Sequence, residues 1–253
     1  MQEILALALG GMQTDMARLD QVAMNLSNAV TPGYKRGVLV QRPNASAQFA
    51  AAMREAADST APATAAASPV SMAIDTRPGT LKATSQNLDV AIGGAGFFEV
   101  ATDRGPAYTR QGNFRADAQG RLVTAKGEPV MGTGGEIFLG GGAVAISPKG
   151  VVSERGQSDV ERVIGQIKLM QFPPGTQPER MGDGLLMASP GMTEAKQEDV
   201  QMRQGFVENS NVDTAHEMTQ MIRLMRHFES MNRIAQSHDD MLGTAIRRLG
   251  ENS

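Results

Sequence analysis

Apolar residues recur at alternating steps of three and four at both ends of the chain. Near the N-terminus they fall at Leu5, Leu9, Met12, Met16, Leu19, Ala23, Leu26 and Val30. Near the C-terminus they fall at Met221, Leu224, Phe228, Met231, Ala235, Leu242, Ala245 and Leu249, with His238 as a polar interruption. A spacing of about 3.5 residues keeps one stripe of an α-helix turned toward a partner, so residues 2–30 and 214–249 are each predicted to be one strand of a coiled coil. Neither stripe can be buried alone. The two ends, 1–30 and 210–253, are therefore expected to return together as a helical pair around a middle that folds separately. Ile4, Val22, Met218, Ile222, Met225, Ile234 and Met241 flank the seams and are only partly covered by a two-helix contact, so helices of other subunits are expected to cover them.

Local signals bound these helices. Gly10 and Gly11 each cost about 1 kcal/mol relative to alanine inside a helix, which weakens the first helix in isolation. Thr31-Pro32-Gly33 stops it near Asn28. Ahead of the second helix, Asn209-Ser210-Asn211-Val212-Asp213 supplies N-cap candidates, with Ser210 and Asp213 spaced as a capping box. Arg247 and Arg248 in its last turn suit the helix dipole.

The middle changes character twice. Residues 41–79 are rich in Ala, Ser, Thr and Pro, and they predict an extended linker with a short helix over 48–57. Within this reading, 31–79 forms a wedge segment between the helices and the next domain. From about Thr80 the period becomes two. Leu88–Ile92, Phe97–Val100, Arg121–Val123, Ile137–Leu139, Ala143–Ile146, Val151-Val152, Val163–Leu169 and a last stretch near Val200–Val207 are short runs divided by Gly, Pro, Asp and Asn. Residues 80–209 are thus expected to form an antiparallel all-β domain, and the fold class is α+β.

Composition narrows the function. The chain has 253 residues, 41% of them hydrophobic, enough for a substantial core, with 28 Gly and 17 Met suited to tight turns and adaptable apolar contacts. A net charge of -3 with scattered Lys and Arg argues against nucleic acid. Cysteine is absent, which removes disulfides, thiolate metal sites and thiol nucleophiles. Glu3 stands where a cleavable signal needs basic residues, and no stretch approaches the roughly 20 apolar residues of a membrane span, so neither is expected.

Sites of chemistry do not assemble. His216-Glu217 begins a zinc-protease pattern, but Gln220 occupies the second ligand position. His216, His227 and His238 are spaced about 16 Å apart along one helix and cannot share an ion. The clusters Gly93-Gly94-Ala95-Gly96 and Gly132-Thr133-Gly134-Gly135 lack the helix and Lys-Ser or Lys-Thr of a phosphate loop and are read as hairpin turns. No nucleophile elbow surrounds a serine. The expectation is a protein that is not an enzyme and has no cofactor, metal or small-molecule substrate. A secreted β-domain binding module on an oligomerising helical stalk is the alternative from another class.

Asn25-Leu26-Ser27-Asn28 followed by Thr31-Pro32-Gly33-Tyr34-Lys35 closely resembles the signature of the bacterial flagellar rod and hook proteins, with Ser27 for the usual Ala and Tyr34 for the usual Phe. Leu88-Asp89-Val90-Ala91-Ile92, Gly96-Phe97-Phe98, Tyr108-Thr109-Arg110-Gln111-Gly112-Asn113-Phe114 and Gly120-Arg121-Leu122-Val123 resemble the family's central block. Gly205, Glu208, Ser210-Asn211-Val212 and Glu217-Met218 resemble its C-terminal block. Within the family, the length, the Thr31-Pro32-Gly33 turn and Pro129-Val130-Met131-Gly132 ahead of Gly134-Gly135 are most similar to proximal-rod members, with distal-rod members the alternative. The resemblance implies a structural subunit exported by the flagellar type III apparatus without a cleaved signal. Copies of it and of other rod proteins would polymerise into a hollow helical rod across the periplasm that carries torque to the hook.

Overall fold

A computed structural model gives the architecture, described for residues 2–41, 70–156, 160–173, 175–195 and 200–250. The chain opens with helix α1 (Gln2–Ser27) and closes with helix α2 (Thr214–Gly250). Between them run β1 (Gly37–Gln41), β2 (Val70–Ile74), β3 (Leu81–Ala83), β4 (Val90–Gly94), β5 (Phe97–Thr102), β6 (Gly105–Thr109), β7 (Arg115–Ala116), β8 (Leu122–Val123), β9 (Met131–Gly132) and β10 (Gly135–Glu136). They are followed by β11 (Ala143–Ile146), β12 (Val151–Arg155), β13 (Glu161–Gln166), β14 (Leu169–Gln171), β15 (Arg180–Gly182), β16 (Leu185–Met187), β17 (Thr193–Glu194), β18 (Val200–Gln204) and β19 (Phe206–Glu208). The expected α+β class holds. Pairing within the β-rich region is antiparallel.

Two units divide the chain: residues 1–27, 37–72 and 213–253 form a helical unit, and 28–36 with 73–212 form a β-rich unit. These bounds differ from the expected 1–30 with 210–253, 31–79 and 80–209. Residues 28–36 belong with the strands, because Gly33 donates to the Glu208 carbonyl at 2.7 Å and Asp75 donates to the Arg36 carbonyl at 2.8 Å. The stretch read as linker contains β1 and β2, which pair with one another. The short helix expected over 48–57 lies outside the described residues.

The β-rich unit is organised by a six-stranded sheet in the order β15-β16-β6-β5-β14-β17. Phe97 and Phe98 are adjacent in sequence and both buried because both faces of this sheet are covered. Phe98, Val100, Phe114, Leu122, Val130, Val152 and Met202 belong to the larger core, and Phe98 meets Phe114 edge to face at 4.9 Å. Phe97 joins Ile74, Tyr108 and Leu186 in the smaller one. The single extended stretch expected over Val200–Val207 is two strands: Gly205, at φ 79°, breaks it so that β18 pairs with β4 and β19 with β3. Ile137–Leu139 is not a strand; one bridge joins Arg121 to Phe138.

Candidate functional site

The helical unit is held by polar groups in its interior. Asn25, 1% exposed, matches both backbone groups of Gly37: its Oδ1 accepts from the Gly37 N–H and its Nδ2 donates to the Gly37 carbonyl, each at 2.9 Å. The carboxamide so replaces a neighbouring strand at the start of β1. Asn25 Nδ2 also lies 3.2 Å from Glu217 Oε2, a carboxylate with no exposed surface, and Gln21 Nε2 donates to Asn25 Oδ1 at 3.1 Å. Ten residues toward the N-terminus of α1, the buried Asp15 meets His227 Nδ1 at 2.5 Å. The order Asn25–Glu217 then Asp15–His227 makes the helices antiparallel. Asp213 caps α2, its Oδ1 accepting from the Ala215 and His216 N–H groups at 3.0 and 3.2 Å. Ser210 instead accepts from the Val212 N–H at 3.3 Å, so the expected capping box does not form.

In the β-rich unit, a second network surrounds Glu208, whose side chain is 0% exposed. Lys35 Nζ is 2.5 Å from Oε1 and Arg110 Nη1 is 2.9 Å from Oε2, and each of these two side chains is 3% exposed. The Gly79 N–H donates to Oε1 at 2.8 Å, and Lys35 donates to the Arg77 carbonyl at 2.8 Å. Arg110 further donates to the Ile92 and Gly94 carbonyls at 3.2 and 2.6 Å. Burial pushes both Lys35 and Arg110 below their ordinary basicity, and the Glu208 charge acts against it. Beside the network, Asn211 accepts from the Arg36 N–H at 2.7 Å and donates to the Asp75 and Arg77 carbonyls at 2.9 and 3.0 Å. Arg180 stacks over the buried Tyr34 ring at 4.4 Å. A Cβ at Gly33 would overlap the Arg110 backbone, and one at Gly112 the Val90 carbonyl oxygen.

Residues 91–154 match the family described as flagellar hook protein FlgE/F/G D1 domain, and residues 203–248 match flagellar basal body rod FlgEFG protein C-terminal. The flagellar basal-body rod protein FlgF of Caulobacter vibrioides is 30% identical over 260 residues, covering 99% of this chain and 99% of that protein. The chain belongs to the flagellar basal-body rod protein family. FlgF of Salmonella typhimurium is 30% identical, covering 98% of this chain and 99% of its own length. The flagellar basal-body rod protein FlgG of Bacillus subtilis is 30% identical, with 92% and 94% covered. As a member of this family the chain is a structural protein of the flagellar basal body and not an enzyme. The binding-module alternative has no support from these similarities.

The rod-family signature residues cluster in the interior. Asn25 serves the helical network, while Gly33, Tyr34, Lys35, Arg110, Gly112, Glu208 and Asn211 serve the β-rich one. Thr31 donates to the Asn28 carbonyl at 3.1 Å, Asp89 bridges Asn113, and Leu88, Phe97, Phe98 and Phe114 pack in the two cores. Gly96, at φ 146°, turns the chain from β4 into β5. Leu26, Ser210 and Val212 are half-buried.

The heptad seam residues fare differently. On α2, Met221, Leu224, Phe228, Met231 and Ala235 are half-buried and His238 is buried. On α1, Met12 and Leu19 are half-buried, but Leu9 and Met16 are 50% and 55% exposed and Ala23 is exposed as well; Val30, expected as the last seam residue, lies beyond the end of α1 and is 90% exposed. Within this chain the inward stripe of α1 runs through Asp15, Val22 and Asn25, one residue or about 100° from the expected one. Apolar spacing could not reveal it, because Asp15 and Asn25 face inward toward partners 212 and 192 positions away. The side chains of Leu5, Leu242, Ala245 and Leu249 lie outside the described residues.

Proposed function

We propose that the chain is the proximal, FlgF-like subunit of the rod, and that it polymerises with copies of itself and other rod proteins into a hollow helical tube transmitting torque to the hook. The distal, FlgG-like subunit is the alternative within the family. The observation that carries the assembly reading is the exposed apolar residues of α2 on both flanks of its half-buried stripe: Met218, Ile222 and Met225 on one flank are 53%, 53% and 52% exposed, and Ile234 and Met241 on the other are 44% and 62% exposed. On α1, Leu9, Met16 and Met24 are exposed too. Apolar residues left uncovered at helical spacing along a long helix call for further helices rather than water. In this reading the heptad residues Leu5, Leu9, Met12, Met16, Leu19, Ala23, Leu26, Met221, Leu224, Phe228, Met231, Leu242 and Leu249 are the seams along which the helices pack in the rod, some within the subunit and some between subunits. Segment 31–79 would wedge between neighbours. Delivery by the flagellar export apparatus to a periplasm-spanning rod follows from the same reading.

Complementation tests it. The parent chain is expected to restore swimming to cells lacking the proximal subunit and not to cells lacking the distal one. Ile222→Asp and Met225→Asp, at exposed positions, are expected to leave the isolated chain's melting temperature unchanged and to abolish rods. Normal basal bodies from both variants would remove the assembly role of this flank.

A further inference from the structure

The groups that meet at Glu208 are distant in sequence: Lys35 by 173 positions, Gly79 by 129 and Arg110 by 98. Each of the two cations is 3% exposed. Burial lowers the basicity of both, and Glu208 is foremost among the influences opposing that penalty. Arg110 Nε is itself buried with no hydrogen-bond partner among the described residues, so this guanidinium depends on what its other nitrogens find. One carboxylate, six residues before α2 begins, therefore answers for two cations placed in the first half of the chain.

We propose that Glu208 gates completion of the β-rich unit, so that the unit cannot pack until this residue arrives. Taking a charge out of water without a partner is strongly unfavourable, whereas an ion pair replaced as a whole by apolar groups is often tolerated. Arg110 directly follows β6, so the β5–β6 hairpin, local in sequence and able to form within about microseconds by itself, cannot be buried before Glu208 arrives without carrying inward a guanidinium that lacks this counter-charge. A chain made or delivered from its N-terminus consequently holds its central strands open until nearly all of it is present. The signature Lys35 and Arg110, in this view, set the moment of folding as well as its result.

Pulsed hydrogen exchange on the full chain, diluted from denaturant, tests the gate. In the parent, amides of β5 and β6 are expected to gain protection in the same kinetic step as the Gly33 and Gly79 amides that bond Glu208. In Glu208→Gln the open population is expected to rise about a hundredfold or more. The variant Lys35→Met/Arg110→Met/Glu208→Met removes all three charges and is expected to recover at least about tenfold of that loss and to protect the hairpin early. Protection of β5–β6 ahead of the Gly33 and Gly79 amides in the parent would overturn the proposal. So would a Glu208→Gln chain exchanging like the parent, or an all-apolar variant no better protected than Glu208→Gln, since topology rather than charge would then set the order.

Discussion

At Gly112 a single hydrogen atom is all that the Val90 carbonyl oxygen allows, whereas Gly134 faces open space. Gly112→Ala is accordingly expected to cost about 3 kcal/mol or more, and Gly134→Ala to stay within about 0.5 kcal/mol, as read from denaturant midpoints. Asn25→Ala removes the two bonds to Gly37 and one to the buried Glu217, a loss of about 3 kcal/mol. Asn25→Asp, which sets a second carboxylate beside Glu217, is expected to be worse than Asn25→Ala in the same thermal melt. Lys35 gives a pH signature. Because burial depresses its basicity, the unfolded chain binds more protons than the folded one in the window just below the ordinary value of 10.5. Its unfavourable contribution is fully present below the folded value and is relieved as pH rises through that window. The stability of the parent minus that of Lys35→Met should therefore increase with pH there, and a flat difference would contradict the burial.

Among the elements, α2 is the one whose pattern carried most information. Its half-buried side, from Met221 to Ala235, is the side the heptad spacing marked, and on the two flanks of that side lie the exposed residues that the same spacing left uncovered. Phe228→Asp is expected to lower the melting temperature of the helical unit by several degrees, whereas Ile222→Asp is not, and circular dichroism separates the two. Helix α1 shows the limit of periodicity. Its heptad-spaced apolar residues mark one side, but the side turned inward carries Val22 between Asp15 and Asn25, polar groups with distant partners. Side-chain amides also finish strands where no strand is available. Gln204 accepts from the Ile146 N–H at 3.0 Å and donates to the Val144 carbonyl at 2.9 Å, occupying a stretch of the β11 edge as Asn25 occupies the β1 edge. Such caps discourage further strand addition.

At the scale of the whole molecule, the two units have different internal logic. The β-rich unit has two apolar cores and a charged knot tying residues 33–35, 79 and 110 to 208, which is why its signature is scattered over the chain. The helical unit combines buried polar contacts with a half-buried apolar stripe on α2 and leaves other large apolar residues in water, the condition expected of a part completed by neighbours. Strands of two or three residues, such as β9, β15 and β16, were not legible from alternation, since so short a run has no period to detect.

Local rules sufficed for what is repeated or punctuated within a few residues: the two helices, the stop after Ser27, the run of short antiparallel strands and the family signature. The direction in which α1 turns, the assignment of residues 28–36 to the β-rich unit and the convergence of Lys35, Gly79 and Arg110 on Glu208 were decided by tertiary structure alone. Each depends on a polar group meeting a partner many tens of residues away, and the free energy of such a meeting lies in burial and geometry, which the linear order of residues does not contain.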